Sequence, residues 1–534
     1  MKTMNLLRQP ELIAVETQEG WKTLPQKGGD GIVVAYTPVE EGMQVTLHAP
    51  DIRVRHILLQ WKETPQEGCR ILGDHWERAY GDLAWRGIEP HRELPWYFFV
   101  SDGQTLDGYG VLTGGAAFAS WYLDGNVVSL LLDVRCGNRG VLLGQRELQA
   151  AIVTLYKGEE KETVFSSAAE FCRRMCPSPR LPKEPVYGGN NWYYAYGNCS
   201  SASFLQDCRI MAELSEGLPV RPFMVLDDGW QVSHGCYQDC TQDAWKPDPV
   251  RFPDMKKMAE AAKEMGVKPG IWYRPLIATK ASREDWMMPQ KKDGSKSYKL
   301  DPSRTEVLEK IGQEIRQLKE WGFELIKHDF TSFDILGVWG AKRHSMAPEE
   351  EWHFFDETKT TAEIIKQLYE MIRKSAGDIP VIGCNTISHL AAGIFEMQRT
   401  GDDVSGCQWE RTRKMGVNAL AFRMPQHETF YAADADCVGI TGQIPWSLNR
   451  QWLDLLANSG TPLFVSLDPA AASLQVRKDI RQAFQKAAVR QRRAWPLDWM
   501  DTALPRRWSC ETGEKEYCWS LPGKIEFCEG YIGE

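Results

Sequence analysis

The stretch "DPSRTEVLEKIGQEIRQLKEWGFELIKHDF", residues 301–330, changes its period halfway along. Val307, Leu308, Ile311, Ile315 and Leu318 recur at helical spacing after the start signal Asp301-Pro302-Ser303, and so lay one apolar stripe along a helix. Past Trp321-Gly322, "ELIKHDF" is short and apolar enough for a buried strand. A helix that delivers the chain directly into a strand is half of a strand–helix alternation. The strand ends on Lys327 and Asp329, which share one face at i, i+2 spacing. Charges are rarely placed where a strand leaves a core unless they are paired or catalytic. A structural ion pair and one half of an active site are both open readings.

The same rhythm extends in both directions. Strands are expected at "VYGGNNWYYA", "PFMVLDDGW", "KPGIWYRPL", "ELIKHDF", "IPVIGCN", "FEMQRTGDD", "ETFYAADAD" and "TPLFVSL", with helices such as "PDMKKMAEAAKEMG" and "TKTTAEIIKQLYEMIRK" between them. Eight strand–helix units predict a (β/α)8 TIM barrel over 183–470. A doubly wound open sheet is the alternative, but no glycine-rich dinucleotide turn follows the first strand. Before the barrel, "GMQVTLHAP", "RVRHILLQW", "LPWYFFVSDG", "NVVSLLLDVRCG" and "LQAAIVTLYKG" are strand-like runs bounded by Gly, Asp or Pro. They predict an N-terminal antiparallel β-sandwich over 1–178, closed by the short helix "SSAAEFCRRM" and a Pro-rich boundary. A basic helix and the short strands "RRWSCETG", "KEYCWSL" and "KIEFCEGYI" predict a small C-terminal β-rich domain over 475–534.

Composition narrows the partners. The chain has 534 residues, 43 % of them hydrophobic and 25 % charged, which is ordinary for a globular protein. A net charge of −9 argues against nucleic acid and against an anionic membrane as partner. The start, "MKTMNLLRQPELIAVE", has no apolar core of a secretory signal, and no run is long enough to span a membrane. The 14 Cys are scattered: Cys172 and Cys176 share a helical face and His234, Cys236 and Cys240 lie close together, but neither group has the second cluster a zinc site needs. A reduced, cytoplasmic setting and no metal are therefore expected. The 21 Trp suit core packing, and also suit stacking on the apolar faces of sugar rings.

In a barrel of this kind polar residues at the carboxyl ends of the strands read as active site. Asp227-Asp228-Gly229-Trp230 ends the second strand, Trp272-Tyr273-Arg274 the third, Lys327-His328-Asp329 the fourth and Cys384-Asn385 the fifth. Arg399 to Asp403 ends the sixth, and Asp434 and Asp436 sit on the seventh. Glycoside hydrolysis needs two carboxyl groups flanking the scissile bond. Asp329, kept ionised by Lys327, suits the role of nucleophile, and an aspartate of the sixth strand, its pKa raised by anionic neighbours, suits that of acid. The plainer readings stay beside these: Asp227-Asp228-Gly229 as a turn, Asp402-Asp403 as a solvated loop, Cys384 as an inert thiol, and Trp192, Trp230 and Trp272 as core.

The ordered set "VLDDGWQ", Trp245, Asp248 and Arg251-Phe252-Pro253, "PGIWYRP", "DPSRTEV…WGFELIKHDF", "GCN" and "RTGDDV" resembles glycoside hydrolase family 36, the α-galactosidase family of the clan that also holds families 27 and 31. The resemblance covers about 183–465, and the flanking β regions fit the family's three-domain plan. It implies a retaining α-galactosidase that needs neither metal nor organic cofactor and acts on small α-galactosides, with room for a homo-oligomer. It places the nucleophile on Asp329 and the acid/base on Asp403, Asp402 being the alternative register. It assigns Asp227 and Asp228 to the 4- and 6-hydroxyls, Lys327 and Arg399 to ring hydroxyls, and Trp272, Arg274, Cys384 and Asn385 to the pocket, while Trp192, Trp230 and Trp272, three indoles at expected strand ends, suit a sugar platform. α-N-Acetylgalactosaminidase, another α-glycosidase, a raffinose-synthase-like transglycosylase and a non-catalytic sugar-binding protein remain alternatives. His328 stands where bulkier apolar or aromatic residues are common in the family.

Overall fold

The computed structural model describes residues 1–534 apart from 26, 27, 30, 289–297, 338, 340–351, 522 and 524–534. The N-terminal region forms two six-stranded antiparallel sheets facing each other. Gly42–His48 and Val54–Trp61 alternate buried and part-exposed residues, the period-2 signature of strands with one face on a core. Trp96, at φ 67°, splits the run Leu94–Ser101, so that Leu94–Pro95 pairs in one sheet and Tyr97–Ser101 in the other. The helix Val164–Met175 closes the sandwich, started by a capping box in which Thr163 and Ser166 satisfy each other's exposed backbone donors.

The sheet that follows is wholly parallel. Its strands are Tyr187–Asn190, Phe223–Leu226, Lys268–Tyr273, Leu325–His328, Val381–Gly383, Met397–Arg399, the pair Ala432–Asp434 and Cys437–Ile440, and Leu463–Leu467. Near-continuous burial marks strands covered on both faces. The seventh strand is bent: its first half pairs with the sixth strand and its second half with the eighth, which in turn pairs with the first. Asp436, at φ 69°, makes the bend and closes the sheet into a barrel. The eight strands expected from the sequence are these eight.

The helix Thr305–Glu320 buries Val307, Leu308, Ile311, Ile315 and Leu318, the predicted stripe, and packs against the helix Thr361–Ala376. Leu474–Ala487, assigned to the tail in the sequence, packs against the barrel helices Trp446–Ser459 and Ser201–Leu214. The tail is a three-stranded antiparallel sheet of Trp495–Pro496, Arg507–Cys510 and Gly513–Glu516. The expected strand "KIEFCEGYI" lies outside the described residues. No described helix is long and apolar enough to cross a membrane.

Sandwich and barrel are joined by a buried ion pair. Arg423 has no exposed surface, and its Nε lies 2.8 Å from Asp74 Oδ1. Gln426 Nε2 donates to the other oxygen at 2.7 Å. Removing one partner of such a pair strands the other charge, a loss of about 3–5 kcal/mol. Asp74→Ala is therefore expected to lower unfolding stability by about that amount, as read by the denaturant midpoint.

Candidate active site

The carboxyl end of the barrel gathers the charged strand ends. Asp227 follows the second strand directly, and its carboxylate is buried. Lys327 Nζ donates to Asp227 Oδ2 at 2.7 Å, and Asn190 Nδ2 donates to the same oxygen at 2.6 Å. The ion pair of the fourth strand is therefore with Asp227, a hundred residues away, and not with Asp329. Burial pushes the Asp227 carboxyl upward, and Lys327 and Asn190 pull against it. Asp228 is more open: Gln231, His234 and Tyr237 from the following loop all reach its Oδ1.

Asp329 is held by neutral donors. Trp272 Nε1 reaches its Oδ2 at 3.0 Å and the Phe330 amide its Oδ1 at 2.7 Å. Phe330 follows at φ 64°, a left-handed conformation rarely adopted by a bulky residue. Arg274 stacks on Phe330, with its Cζ 4.0 Å from the ring centroid, and makes a two-pronged bond to the fully buried Asp334 at 2.9 and 2.7 Å. Lys299 Nζ lies 2.7 Å from the same carboxylate. His328, between Lys327 and Asp329, behaves as a core residue. It is fully buried, bonded to Thr331 and edged by Tyr369 and Phe395, and burial lowers its pKa to about 3. A neutral imidazole thus fills the apolar slot that made it look out of place.

Arg399 is 1 % exposed and ties several strands together. It pairs with Asp436 at the bend of the seventh strand and with Asp403 Oδ1 at 2.8 Å. It also donates to Tyr193 Oη at 3.2 Å and to Cys384 Sγ at 3.2 Å. Asn385 is buried, its Oδ1 accepting from the Phe333 amide at 3.2 Å. Trp192 is half-buried at the start of the short helix Trp192–Ala195 and packs edge-on to Tyr196. Trp230 has no exposed surface: it lies against Trp245 and Trp321 and donates to the Trp272 carbonyl, so it backs the wall and presents no face to a ligand.

The two aspartates after the sixth strand differ sharply. Asp402 is 8 % exposed and paired on both oxygens, to Arg78 at 3.0 Å and to Arg411 at 2.9 Å. Asp403 has a side chain 40 % exposed. Burial of its surroundings works against its charge, but Arg399, Arg78, Lys327 and Arg411 overcome this and hold its carboxyl below the ordinary value. The expectation of a pKa raised by anionic neighbours is corrected here, because its nearest charges are cations.

Sequence reasoning missed the contribution of the sandwich. The segment Asp74 to Tyr80 runs into the barrel mouth, where Ala79 pairs with Gly401 in a parallel bridge. Glu77, without exposed surface, accepts from Asn385 Nδ2 at 2.7 Å and from Ser332, three residues past Asp329. The run "DHWERAY", with three charges among aromatics inside a strand-rich domain, was the signal available.

No family model matches the chain. Solved structures do share its fold. The Thermus thermophilus α-galactosidase TtGalA, solved with p-nitrophenyl α-D-galactopyranoside, aligns at TM-score 0.60 and 16 % identity over 95 % of this chain and 99 % of that one. The family 36 α-galactosidase AgaA of Geobacillus stearothermophilus aligns at TM-score 0.63 and 12 % identity over 94 % of this chain and 79 % of that one. The α-galactosidase of Lactobacillus brevis gives TM-score 0.55 and 13 % identity, covering 90 % and 74 %. The fold is that of the family 36 α-galactosidases: a β-sandwich, a TIM barrel and a small β tail.

Replacing Lys327 by Met would leave Asp227 buried and unpaired, at a cost of about 3–5 kcal/mol near neutral pH. The Asp227 carboxyl, already raised, would rise further above its unfolded value, so the folded variant would take up a proton that the unfolded chain releases. Stability of Lys327→Met is accordingly expected to fall as pH rises through that window, and its deficit against the parent to shrink on acidification, as followed by thermal unfolding across pH.

Proposed function

We propose that the protein is a retaining glycosidase that removes terminal, non-reducing α-D-galactosyl residues from small oligosaccharides. The observation that carries this reading is the pair of carboxylates at the carboxyl end of the barrel, Asp329 at the end of the fourth strand and Asp403 past the end of the sixth, each held by different groups. The likeness of fold to solved α-galactosidases supports it, as does the ordered motif set of the barrel.

In this reading Asp329 is the nucleophile. The Trp272 and Phe330 N–H groups fix its two oxygens and leave it to attack the anomeric carbon as the bond to the aglycone breaks. Asp403 gives the leaving oxygen its proton, then accepts one from the water that releases the glycosyl ester, so the anomeric configuration is retained. Asp227, anchored by Lys327 and Asn190, and Asp228, anchored by the 231–237 loop, accept sugar hydroxyls. Asp403 takes the acid/base role over Asp402, because Asp402 is consumed by two guanidinium groups and faces away from solvent. We place the protein in the cytoplasm, acting on imported sugars without a cofactor.

Hydrolysis of a panel of nitrophenyl α-glycosides tests this. The α-galactoside is expected to be cleaved with α-galactose as the first product by proton NMR, and Asp329→Ala to abolish turnover. Unchanged activity in that variant sinks the assignment of the nucleophile. Cleavage of a different α-glycoside keeps the mechanism and changes the sugar. Galactose binding without turnover of any glycoside points to a non-catalytic binding protein.

A further inference from the structure

The segment of the sandwich that enters the barrel mouth does more than seal an interface. Two backbone hydrogen bonds, Ala79 N to Thr400 O at 2.8 Å and Asp402 N to Ala79 O at 2.9 Å, lay it alongside the loop after the sixth strand. They fix Arg78, 4 % exposed, with Nη2 at 3.0 Å from Asp402 and Nη1 at 3.5 Å from Asp403 Oδ1. The guanidinium plane also stands 5.0 Å over the Trp339 ring, which limits its freedom to swing away. One side chain from another domain therefore touches both carboxylates of the Asp402-Asp403 pair.

We propose that Arg78, delivered by the sandwich, is the positioning residue of Asp403: it clamps Asp402 against the loop and shares the Asp403 carboxylate with Arg399, so that of the two neighbours only Asp403 faces the cleft. The inference rests on the reading of Asp403 as acid/base. A rigid fork suits this task, since a guanidinium can bond two carboxylates at once in one plane. Lysine, a point charge on a flexible stem, can keep the charge but not the geometry.

The consequence for the proton is direct. The charged and titratable groups around Asp403 are Arg399, Arg78, Arg411 and Lys327, the carboxylates of Asp402 and Asp436, which share Arg78 and Arg399 with it, and the phenols of Tyr193 and Tyr196 on the facing helix. A cation close by favours the ionised carboxyl, so loss of Arg78 moves Asp403 upward. The alkaline limb of kcat/KM reports loss of the acid's proton in the free protein, and it moves to higher pH with it.

Full-length protein carrying Arg78→Met or Arg78→Lys is compared with the parent on p-nitrophenyl α-galactoside and on melibiose. The nitrophenolate leaves readily without a proton and the sugar alkoxide does not, so a misplaced acid is felt selectively. Arg78→Met is expected to lose about 100-fold in kcat/KM on melibiose and far less on the nitrophenyl substrate. Its alkaline limb should rise by about 1 pH unit. Arg78→Lys should restore the pH limb more fully than the melibiose rate. The carboxyl titration of Asp403 is followed in parallel by carbon-13 NMR of aspartate-labelled protein, with Asp403→Asn as the assignment control, and should shift up in Arg78→Met. Equal losses on both substrates with the pH limb and the titration unmoved would reduce Arg78 to a strut between domains and overturn the proposal. A parent protein that cleaves neither galactoside overturns the glycosidase reading instead, and the titration, which needs no substrate, still decides on Arg78. Arg78→Gln carries the same titration if Arg78→Met does not fold.

Discussion

The guanidinium of Arg399 is the group on which the mouth of the barrel depends. A buried arginine cannot shed its charge, and its planar fork carries five donors that need acceptors in fixed directions. Here the acceptors come from four places in the chain: Asp436 on the seventh strand, Asp403 after the sixth, Tyr193 beside the first and Cys384 after the fifth. Supplying Asp436 requires a left-handed residue in mid-strand, and that bend divides the seventh strand between its two neighbours. The same carboxylate receives the Val404 amide at 3.0 Å, which holds the loop that carries Asp403. The bent strand, the loop that carries Asp403 and the ends of the first and fifth strands thus all meet at one buried cation.

The sandwich takes part in this arrangement through a few residues. Asp74 meets Arg423, Glu77 meets Asn385 and Ser332, and Arg78 meets Asp402 and Asp403, all within five positions of one another in sequence. Glu77 sits on the turn that follows Asp329, while Arg78 sits on the loop of the second carboxylate. The two halves of the candidate site are therefore braced by adjacent residues of a different domain. Such bracing matters because a catalytic constellation works only when its members are held within a fraction of an ångström, and short loops at strand ends do not hold themselves that well.

The sequence made the architecture legible because period and burial go together: the stripe of Thr305–Glu320 and the apolar runs of the eight strands are local signals. It also placed Asp227, Lys327, Asp329, Arg399 and Asp403 at strand ends. What it did not show was partnership. Lys327 was set against Asp329, two residues away, because nearness in sequence is visible; its bond to Asp227 depends on neighbouring strands of a closed barrel. The environment of Asp403 was misjudged for the same reason. The acidic residues near it in sequence are visible, whereas Arg78, more than three hundred positions earlier, is not. Trp230 illustrates the limit for aromatics: a strand-end position was consistent with a sugar platform, but the indoles of Trp245 and Trp321 pack on it and its N–H is spent on the Trp272 carbonyl.

The carboxylates of Asp329 and Asp403 are held in contrasting ways, and the contrast bears on the order of events in the proposed chemistry. Asp329 rests on two neutral N–H donors, and Asp403 sits among guanidinium groups that keep it ionised in the empty site. In double displacement the second carboxyl group is needed first as an acid and then as a base. An ionised Asp403 is ready for the second role, accepting a proton from water. The first role requires that it gain a proton, and in the free protein the surrounding cations oppose this. A bound sugar alters that balance in two ways: it removes water from the cleft, which penalises the charged form, and it offers hydroxyls to the same guanidinium groups that otherwise serve the carboxylate. In the proposed chemistry, proton uptake at Asp403 would then be tied to occupancy of the site, and substrate binding would itself arm the acid.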